Sequence, residues 1–312
     1  MAAEFDVVIA GCGIAGLSAA LTSARLGRKT LVLAGDMLGG QLLSIAKIDG
    51  YPGFPDGIPG YDLCPMTQEQ AVAAGAEFAA TELQRLDAQD GRWHIAAGDD
   101  DAARDIRLAI ATGAGLKTLG VPGEQRLSGK GVSHCASCDA PLLRGRTAIV
   151  VGGGDSAAQE ALTLAEFAAK VIILQRGATL TAQQAYRDLV TAQPKIELRC
   201  NTIVEEILGD TSVTGARIRD ASGATANLDS AGVFVYIGLQ PNNAVLDGRI
   251  ALDRVGRVPT DGWMRTGLRG VCAAGAVRSG WLGRAAISAG DGATAALAID
   301  RFLSDGAWRG EA

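Results

Sequence analysis

Residues 5–16 read Phe5-Asp6-Val7-Val8-Ile9-Ala10-Gly11-Cys12-Gly13-Ile14-Ala15-Gly16, an apolar run that opens into GxGxxG. The run before Gly11 has the short, continuous apolarity of a buried strand. LSAALTSARLG then supplies a helix ending at Gly27, and KTLVLAG supplies a second strand. In this strand–turn–helix–strand context the glycines permit a tight turn and close approach, while the helix N–H groups and dipole face a pyrophosphate. The spacing predicts a dinucleotide-binding unit with Gly11, Gly13, Ile14, Ala15 and Gly16 at the phosphates. The acid that usually ends the second strand and binds ribose is missing. Ala34 and Gly35 stand there, and Asp36, the nearest candidate, comes late.

The pattern repeats. Thr147-Ala148-Ile149-Val150-Val151 is a strand, Gly152-Gly153-Gly154-Asp155-Ser156-Ala157 gives GxGxxA, AQEALTLAEFA continues as a helix, and KVIILQR is the next strand. Two such turns predict two nucleotide-binding folds. Between them Leu108-Ala109-Ile110 runs into the turn Ala111-Thr112-Gly113, and GVFVYIG (232–238) makes a similar exit from the second unit. GVCAAGA (270–276) reads as a last core strand before a helix. The expected fold is therefore α/β, with two Rossmann-like dinucleotide-binding domains, the second inserted into the first. The expected segments are 1–116, 117–239 and 240–312.

The composition agrees with a packed globular protein. The chain has 312 residues, of which 48% are apolar, with 42 glycines but only four Trp, four Tyr and six Phe. That balance suits tight βα turns rather than a disulfide scaffold or a disordered chain. A net charge of −5 and the absence of a basic stripe argue against a nucleic-acid partner. MAAEFDVVIAGCG has no basic n-region, so no signal peptide is expected, and no run of 18 apolar residues suggests a membrane span. The expected location is a reducing cytoplasm.

There, the stretch HCASCDAP (134–141) stands out, because Cys135 and Cys138 form a CxxC. Such a pair is half a zinc site, a redox disulfide, or two thiols adjacent by accident. Cys12, Cys64, Cys200 and Cys272 stand alone and are expected to behave as small buried hydrophobes.

The order of motifs resembles the low-molecular-weight thioredoxin reductases, pyridine nucleotide-disulfide oxidoreductases, over nearly the whole chain. The matching pieces are GCGIAG, GGQL (39–42), YPGFP (51–55), ATGA (111–114), CASCD (135–139), GGGDSA (152–157), GLQPN (238–242) and AAGAV (273–277). The resemblance implies that the pair is a redox disulfide, with Cys135 exchanging with substrate, Cys138 facing the flavin C4a and Asp139 as the acid–base group. His134 is a further candidate for deprotonating a thiol. A metal is not expected, since His94 and His134 are the only histidines and no second ligand pair accompanies the CxxC.

By the same resemblance FAD is held by the first turn, by Gly40 and Gln41, by Ala111, Thr112 and Gly113, and by Gly275, Ala276, Arg284, Ala285 and Ala286. NADP falls to Gly152, Gly154, Asp155, Ser156, Ala157 and Arg176, and a homodimer is implied.

Several positions depart from the family. Its HRRxxxR motif, whose arginines clasp the 2′-phosphate, is replaced by Gln175-Arg176-Gly177-Ala178-Thr179-Leu180-Thr181. Two arginines are lost, and at about 1.5–3 kcal/mol per charged hydrogen bond NADP binding is expected to be weak. The Gly and two aromatics that help dock thioredoxin become Ala140-Pro141-Leu142-Leu143, the Gly-Asp of the flavin segment becomes Gly275-Ala276, and Arg-Gln-Ala becomes Arg284-Ala285-Ala286.

These losses resemble the small-molecule branch of the superfamily, whose enzymes close the disulfides of gliotoxin, holomycin and romidepsin. The expected function is thus an FAD-dependent dithiol oxidase acting on a secondary-metabolite dithiol, with electrons passing to FAD and then to O2 or NAD(P)+. The alternatives are an NADPH-dependent thioredoxin reductase, with thioredoxin as partner, and a vestigial flavin-binding redox sensor.

Overall fold

The structure is a computed structural model that describes residues 5–89, 92–97, 107–246 and 248–308. Residues 1–4, part of the N-terminal reading above, lie outside the described residues. The chain folds as two compact units, Met1–Gly115 with Gln240–Ala312, and Leu116–Leu239.

In the first unit the strand Val7–Ala10 is buried throughout and lies at the centre of a parallel sheet. The strand order is Val271–Ala273, Arg107–Ile110, Val7–Ala10, Thr30–Leu33 and Glu77–Ala79. Because side chains alternate across a sheet, this strand feeds two cores. Val7 and Ile9 pack with Ala19, Ala20 and Ala24 of the helix Ile14–Arg25 and with Ala295, Ala298 and Ile299 of the helix Ala285–Asp305. Val8 and Ala10 face Leu86, Ile95, Leu108, Ile110, Leu246 and Val271. Leu86 and Ile95 come from the antiparallel pair Leu83–Gln89 and Arg92–Ala97. The two helices approach closely because Gly292 has no side chain; a Cβ there would lie 2.0 Å from the Ala15 carbonyl oxygen.

The second unit repeats the plan. Its parallel sheet runs Ile196–Arg199, Lys170–Leu174, Thr147–Val151, Gly232–Val235 and Val132–Ser133. Ala148 and Val150 pack against Ala157, Ala158, Ala161, Leu164 and Ala165 of the helix Asp155–Phe167, an alanine-rich apolar face spaced three and four apart. Ile149 and Val151 pack on the other side with Val204, Ile207, Ala216 and Ile218. The last four belong to the antiparallel strands Ile203–Leu208 and Gly215–Arg219.

The α/β class with two Rossmann-like units is as the sequence implies. Element ends differ slightly. The first helix stops at Arg25, two positions before Gly27, because Gly27 adopts φ 79° and closes the C-terminus from outside. The strand of GVFVYIG ends at Val235, and the chain turns at Gly238 with φ 106°. Among the described residues no helix is long and apolar enough to cross a membrane.

Candidate functional site

The first glycine turn is built by backbone contact. Gly11 has φ 106°, and a Cβ on it would lie 2.3 Å from the Ala111 carbonyl oxygen. A Cβ on Gly16 would lie 2.0 Å from the Gly11 carbonyl oxygen. Gly13 is different: nothing lies within 4 Å of its Cβ position. It is the residue before the helix Ile14–Arg25, whose first turn holds no acidic side chain and no side-chain cap. A helix N-terminus beside a glycine whose Cβ position is open forms a cradle that fits a dinucleotide pyrophosphate.

Other predicted cofactor residues gather around this cradle. Gly13 forms a bridge with Gly39, the Gly39 N–H donates to the Cys12 carbonyl at 3.0 Å, and a Cβ on Gly40 would touch Gly13 Cα at 3.4 Å. Gln41 is exposed on the short helix Gly40–Ser44. Ile14, Leu42, Tyr51, Phe54, Ile58, Leu63 and Ala285 share one apolar cluster, which joins GGQL and YPGFP to the start of the last helix. The turn Ala111-Thr112-Gly113 is tied to Asn242: Thr112 Oγ1 donates to the Asn242 carbonyl at 2.6 Å, and Asn242 Nδ2 donates back to the Thr112 carbonyl at 2.9 Å.

Gly275 is buried with φ 75°, Ala276 is half-buried, and Arg284 is the cap of the helix that Ala285 and Ala286 begin. Asp36 is exposed.

The structure joins Cys135 and Cys138 in a disulfide with Cα atoms 5.3 Å apart. Cys135 caps the helix Ala136–Asp139, its sulfur accepting the Cys138 N–H at 3.3 Å. Cys138 is exposed, while Cys135, His134 and Asp139 are half-buried. His134 Nδ1 is 2.9 Å from the Val235 carbonyl oxygen. A carbonyl only accepts, so Nδ1 carries the proton, and Nε2 is left as the ring nitrogen able to take one.

The Ala136 N–H donates to Glu160 Oε2 and to the Tyr236 hydroxyl, both at 3.1 Å. Burial pushes the Glu160 carboxyl above its ordinary range, opposed by the Ala136 N–H and the Tyr236 hydroxyl. Burial, and next the Glu160 charge, push the Tyr236 phenol up as well.

In the second glycine turn, Gly152 has φ 140° and a Cβ there would lie 2.2 Å from the Tyr236 carbonyl oxygen. Gly154 opens onto space, as Gly13 does. Gly153 lies under the Gln175 side chain, whose Nε2 would be 2.3 Å from an added Cβ. The Gly153 carbonyl accepts the N–H groups of Thr181 and Ala182 at 2.7 and 3.0 Å and Thr181 Oγ1 at 3.1 Å. Asp155 accepts from Gln183 N and Nε2 at 2.7 and 2.9 Å. Ser156 and Arg176 are exposed and Ala157 is buried.

Several residues of these sites carried no motif. Glu82 was invisible because it follows the third strand of the sheet; its Oε1 would lie 3.2 Å from a Cβ on Gly35, so a carboxylate does reach the end of the second strand. Asp291, buried in the last helix, accepts from the Gly275 N–H at 3.1 Å and pairs in bidentate fashion with Arg278 at 2.7 Å for both bonds. Glu160 and Tyr236 lie far apart in sequence and meet only through the fold. Cys12, Cys64 and Cys272 are buried, and Cys200 is half-buried.

Residues 5–292 match the pyridine nucleotide-disulphide oxidoreductase family. The chain is 36% identical over 304 residues to the thioredoxin reductase of Treponema pallidum, covering 97% of this chain and 98% of that one. It is 38% identical over 303 residues to the thioredoxin reductase of Mycolicibacterium smegmatis, covering 96% and 97%. The crystal structure of Lactococcus lactis thioredoxin reductase superposes with a TM-score of 0.93 at 33% identity, covering 97% and 100%.

These similarities overturn the expected small-molecule dithiol oxidase and its secondary-metabolite substrate. The departures at Gln175 to Thr181 and at Ala140 to Leu143 are local changes in ligand contacts, which alter affinity and do not by themselves reverse electron flow. The expected oxidoreductase with FAD as its cofactor stands. The chain belongs to the pyridine nucleotide-disulphide oxidoreductase family, within the group of the thioredoxin reductases.

Proposed function

We propose that the protein is an NADPH-dependent thioredoxin-disulfide reductase. The observation that carries this reading is the joint presence, in one chain similar end to end to thioredoxin reductases, of two open glycine cradles and a Cys135–Cys138 disulfide followed by Asp139. The balanced reaction is NADPH, a proton and the thioredoxin disulfide giving NADP+ and the thioredoxin dithiol.

FAD would sit with its pyrophosphate at Gly11, Gly13 and Gly16, bordered by Gly39 and Gly40, with the Thr112–Asn242 pair and Gly275 fixing the surrounding backbone. Bound there, FAD would supply the two-electron chemistry that links a nicotinamide to a disulfide. The remaining steps fall to the chain's own residues. Gly152 and Gly154 admit the nicotinamide nucleotide, with Arg176 as the cation available to its 2′-phosphate. Cys135, as a thiolate, attacks the partner disulfide and expels one partner thiolate; Cys138 then attacks the mixed disulfide, re-forming Cys135–Cys138 and expelling the partner's second thiolate. Asp139 holds and delivers the proton, and Nδ1-bonded His134 keeps its second ring nitrogen able to accept one.

Leu142, 72% exposed just beyond the redox turn, supplies apolar contact in place of the family aromatics. A cytoplasmic homodimer belongs to the same reading, and size-exclusion chromatography tests the dimer. Trapping tests the function. The Cys138→Ser variant should accumulate a mixed disulfide between Cys135 and thioredoxin, while Cys135→Ser should not. Absence of any mixed disulfide from either variant would count against thioredoxin as the partner.

A further inference from the structure

Behind the redox turn, two acidic side chains converge on one backbone group. Glu160 comes from the helix Asp155–Phe167, and Tyr236 follows the strand Gly232–Val235. The Ala136 N–H, which directly follows Cys135, donates to Glu160 Oε2 and to the Tyr236 hydroxyl at 3.1 Å each. The Tyr236 hydroxyl also bonds the Glu160 carboxyl. A turn of this kind ordinarily favours a thiolate on its first cysteine, because its N–H groups and positive end face the sulfur. Here the Cys138 N–H still reaches the Cys135 sulfur at 3.3 Å, but the Ala136 N–H is taken by a carboxyl group.

We propose that Glu160 and Tyr236 form an acidic seat for the redox turn that disfavours a thiolate at Cys135 and so keeps the dithiol strongly reducing. Stabilising the thiolate of a reduced pair makes the couple more oxidising, and disfavouring it does the reverse. The half-reaction is a disulfide, two electrons and two protons giving two thiols. A pair that must hand both electrons onward gains from a reduced form that is not over-stabilised. The Tyr236 hydroxyl supports the charge on Glu160 by donating to it, against the burial that favours the neutral acid.

The other titratable groups of the turn are Asp139, whose charge also acts on Tyr236, and His134, anchored through Nδ1 to Val235. Glu160 and Tyr236 act through Ala136 and are positioning residues. The use given to a reducing dithiol rests on the reductase reading, but the redox poise itself does not.

The test is equilibration of the full-length protein in dithiothreitol redox buffers, with alkylation trapping, together with the pH dependence of iodoacetamide alkylation at Cys135. Glu160→Gln keeps an acceptor for the Ala136 N–H and removes the charge. At about pH 6, where the thiols are protonated, it should match the wild type within about twofold. At about pH 8 its reduced form should be favoured about fivefold over the wild type, or about 20 mV for a two-electron couple. Its alkylation midpoint should fall by about one pH unit. Tyr236→Phe should shift both readings the same way by about twofold in the equilibrium, and it decides the matter if Glu160→Gln does not fold.

A folded variant with wild-type equilibrium and alkylation midpoint would overturn the proposal. So would an equal shift at both pH values, which would mark a change of geometry rather than of charge. Neither reading uses NADPH or thioredoxin, so a failure of the reductase assignment would appear separately, as absent turnover.

Discussion

Gly16 and Gly11 are in backbone contact: a Cβ on Gly16 would lie 2.0 Å from the Gly11 carbonyl oxygen. At the middle glycine, Gly13, an added Cβ would meet nothing within 4 Å. The outer two glycines therefore serve the fold, and in the proposed reading the middle one serves the ligand. Gly16→Ala should destabilise the protein by about 2 kcal/mol or more, as overpacking against backbone does. Gly13→Ala should unfold within about 1 kcal/mol of the wild type, the scale of an N-terminal cap change, yet bind FAD poorly. Urea denaturation with flavin content by absorbance separates the two, and Gly13→Ala with full FAD would contradict the cradle.

The fold was legible because both βαβ units carry the strand, glycine turn and helix in sequence order, each within a stretch short enough for local geometry to dominate. What was not legible came from long-range packing. Glu160 and Tyr236 meet at Ala136 only because a helix and a strand of the second sheet converge there. Asp291 reaches Gly275 from the interior of the last helix, and Glu82 reaches Gly35 from beyond the third strand. None of these contacts has a fixed spacing in the chain. The oxidase expectation fails for another reason: changed ligand contacts such as those at Gln175 to Thr181 and Ala140 to Leu143 bear on affinity and carry no information on the direction of electron flow.

The Arg278–Asp291 pair is bidentate and nearly inaccessible, with side chains 14% and 6% exposed. Removing one partner leaves a buried charge unpaired, which costs about 3–5 kcal/mol. Asp291→Ala should lower stability by that order in urea titrations. It should also release the Gly275 N–H and weaken FAD retention, measured by dialysis of the holoprotein. A neutral effect on both would show that the pair carries no weight.

The 2′-phosphate site proposed at Arg176 can be extended. A Cβ on Gly177 meets its nearest atom, Gln175 Nε2, at an ordinary 3.6 Å, so a side chain fits there. Gly177→Arg with Thr181→Arg should lower KM for NADPH about tenfold or more, at about 1.5–3 kcal/mol for each charged hydrogen bond, with little change in kcat. Steady-state kinetics check this. An unchanged KM would place the 2′-phosphate elsewhere.

Cys64 lies buried beside the first cradle, and burial, with the Cys12 thiol nearby, pushes it up from 9.0 to about 11. The folded state therefore binds its proton more tightly than the unfolded state. The stability this contributes is fully present below pH 9.0 and is lost as pH rises toward about 11. In the reduced native protein, a thiol reagent near neutral pH should label the exposed Cys138 well before Cys64, which stays unmodified until unfolding. Mass spectrometry of labelled peptides reads the outcome, and rapid labelling of Cys64 would contradict its burial.

In the proposed reading, electrons pass from NADPH to thioredoxin through Cys135 and Cys138. Anaerobic mixing of the holoprotein with NADPH and oxidised thioredoxin, following nicotinamide absorbance and free thiols together, tests it most directly. One NADPH should be consumed for each thioredoxin disulfide reduced, with a rate that saturates only at high NADPH and no turnover when Cys135 or Cys138 is replaced by Ser. Thioredoxin left oxidised while the wild-type protein holds FAD and an excess of NADPH would contradict it.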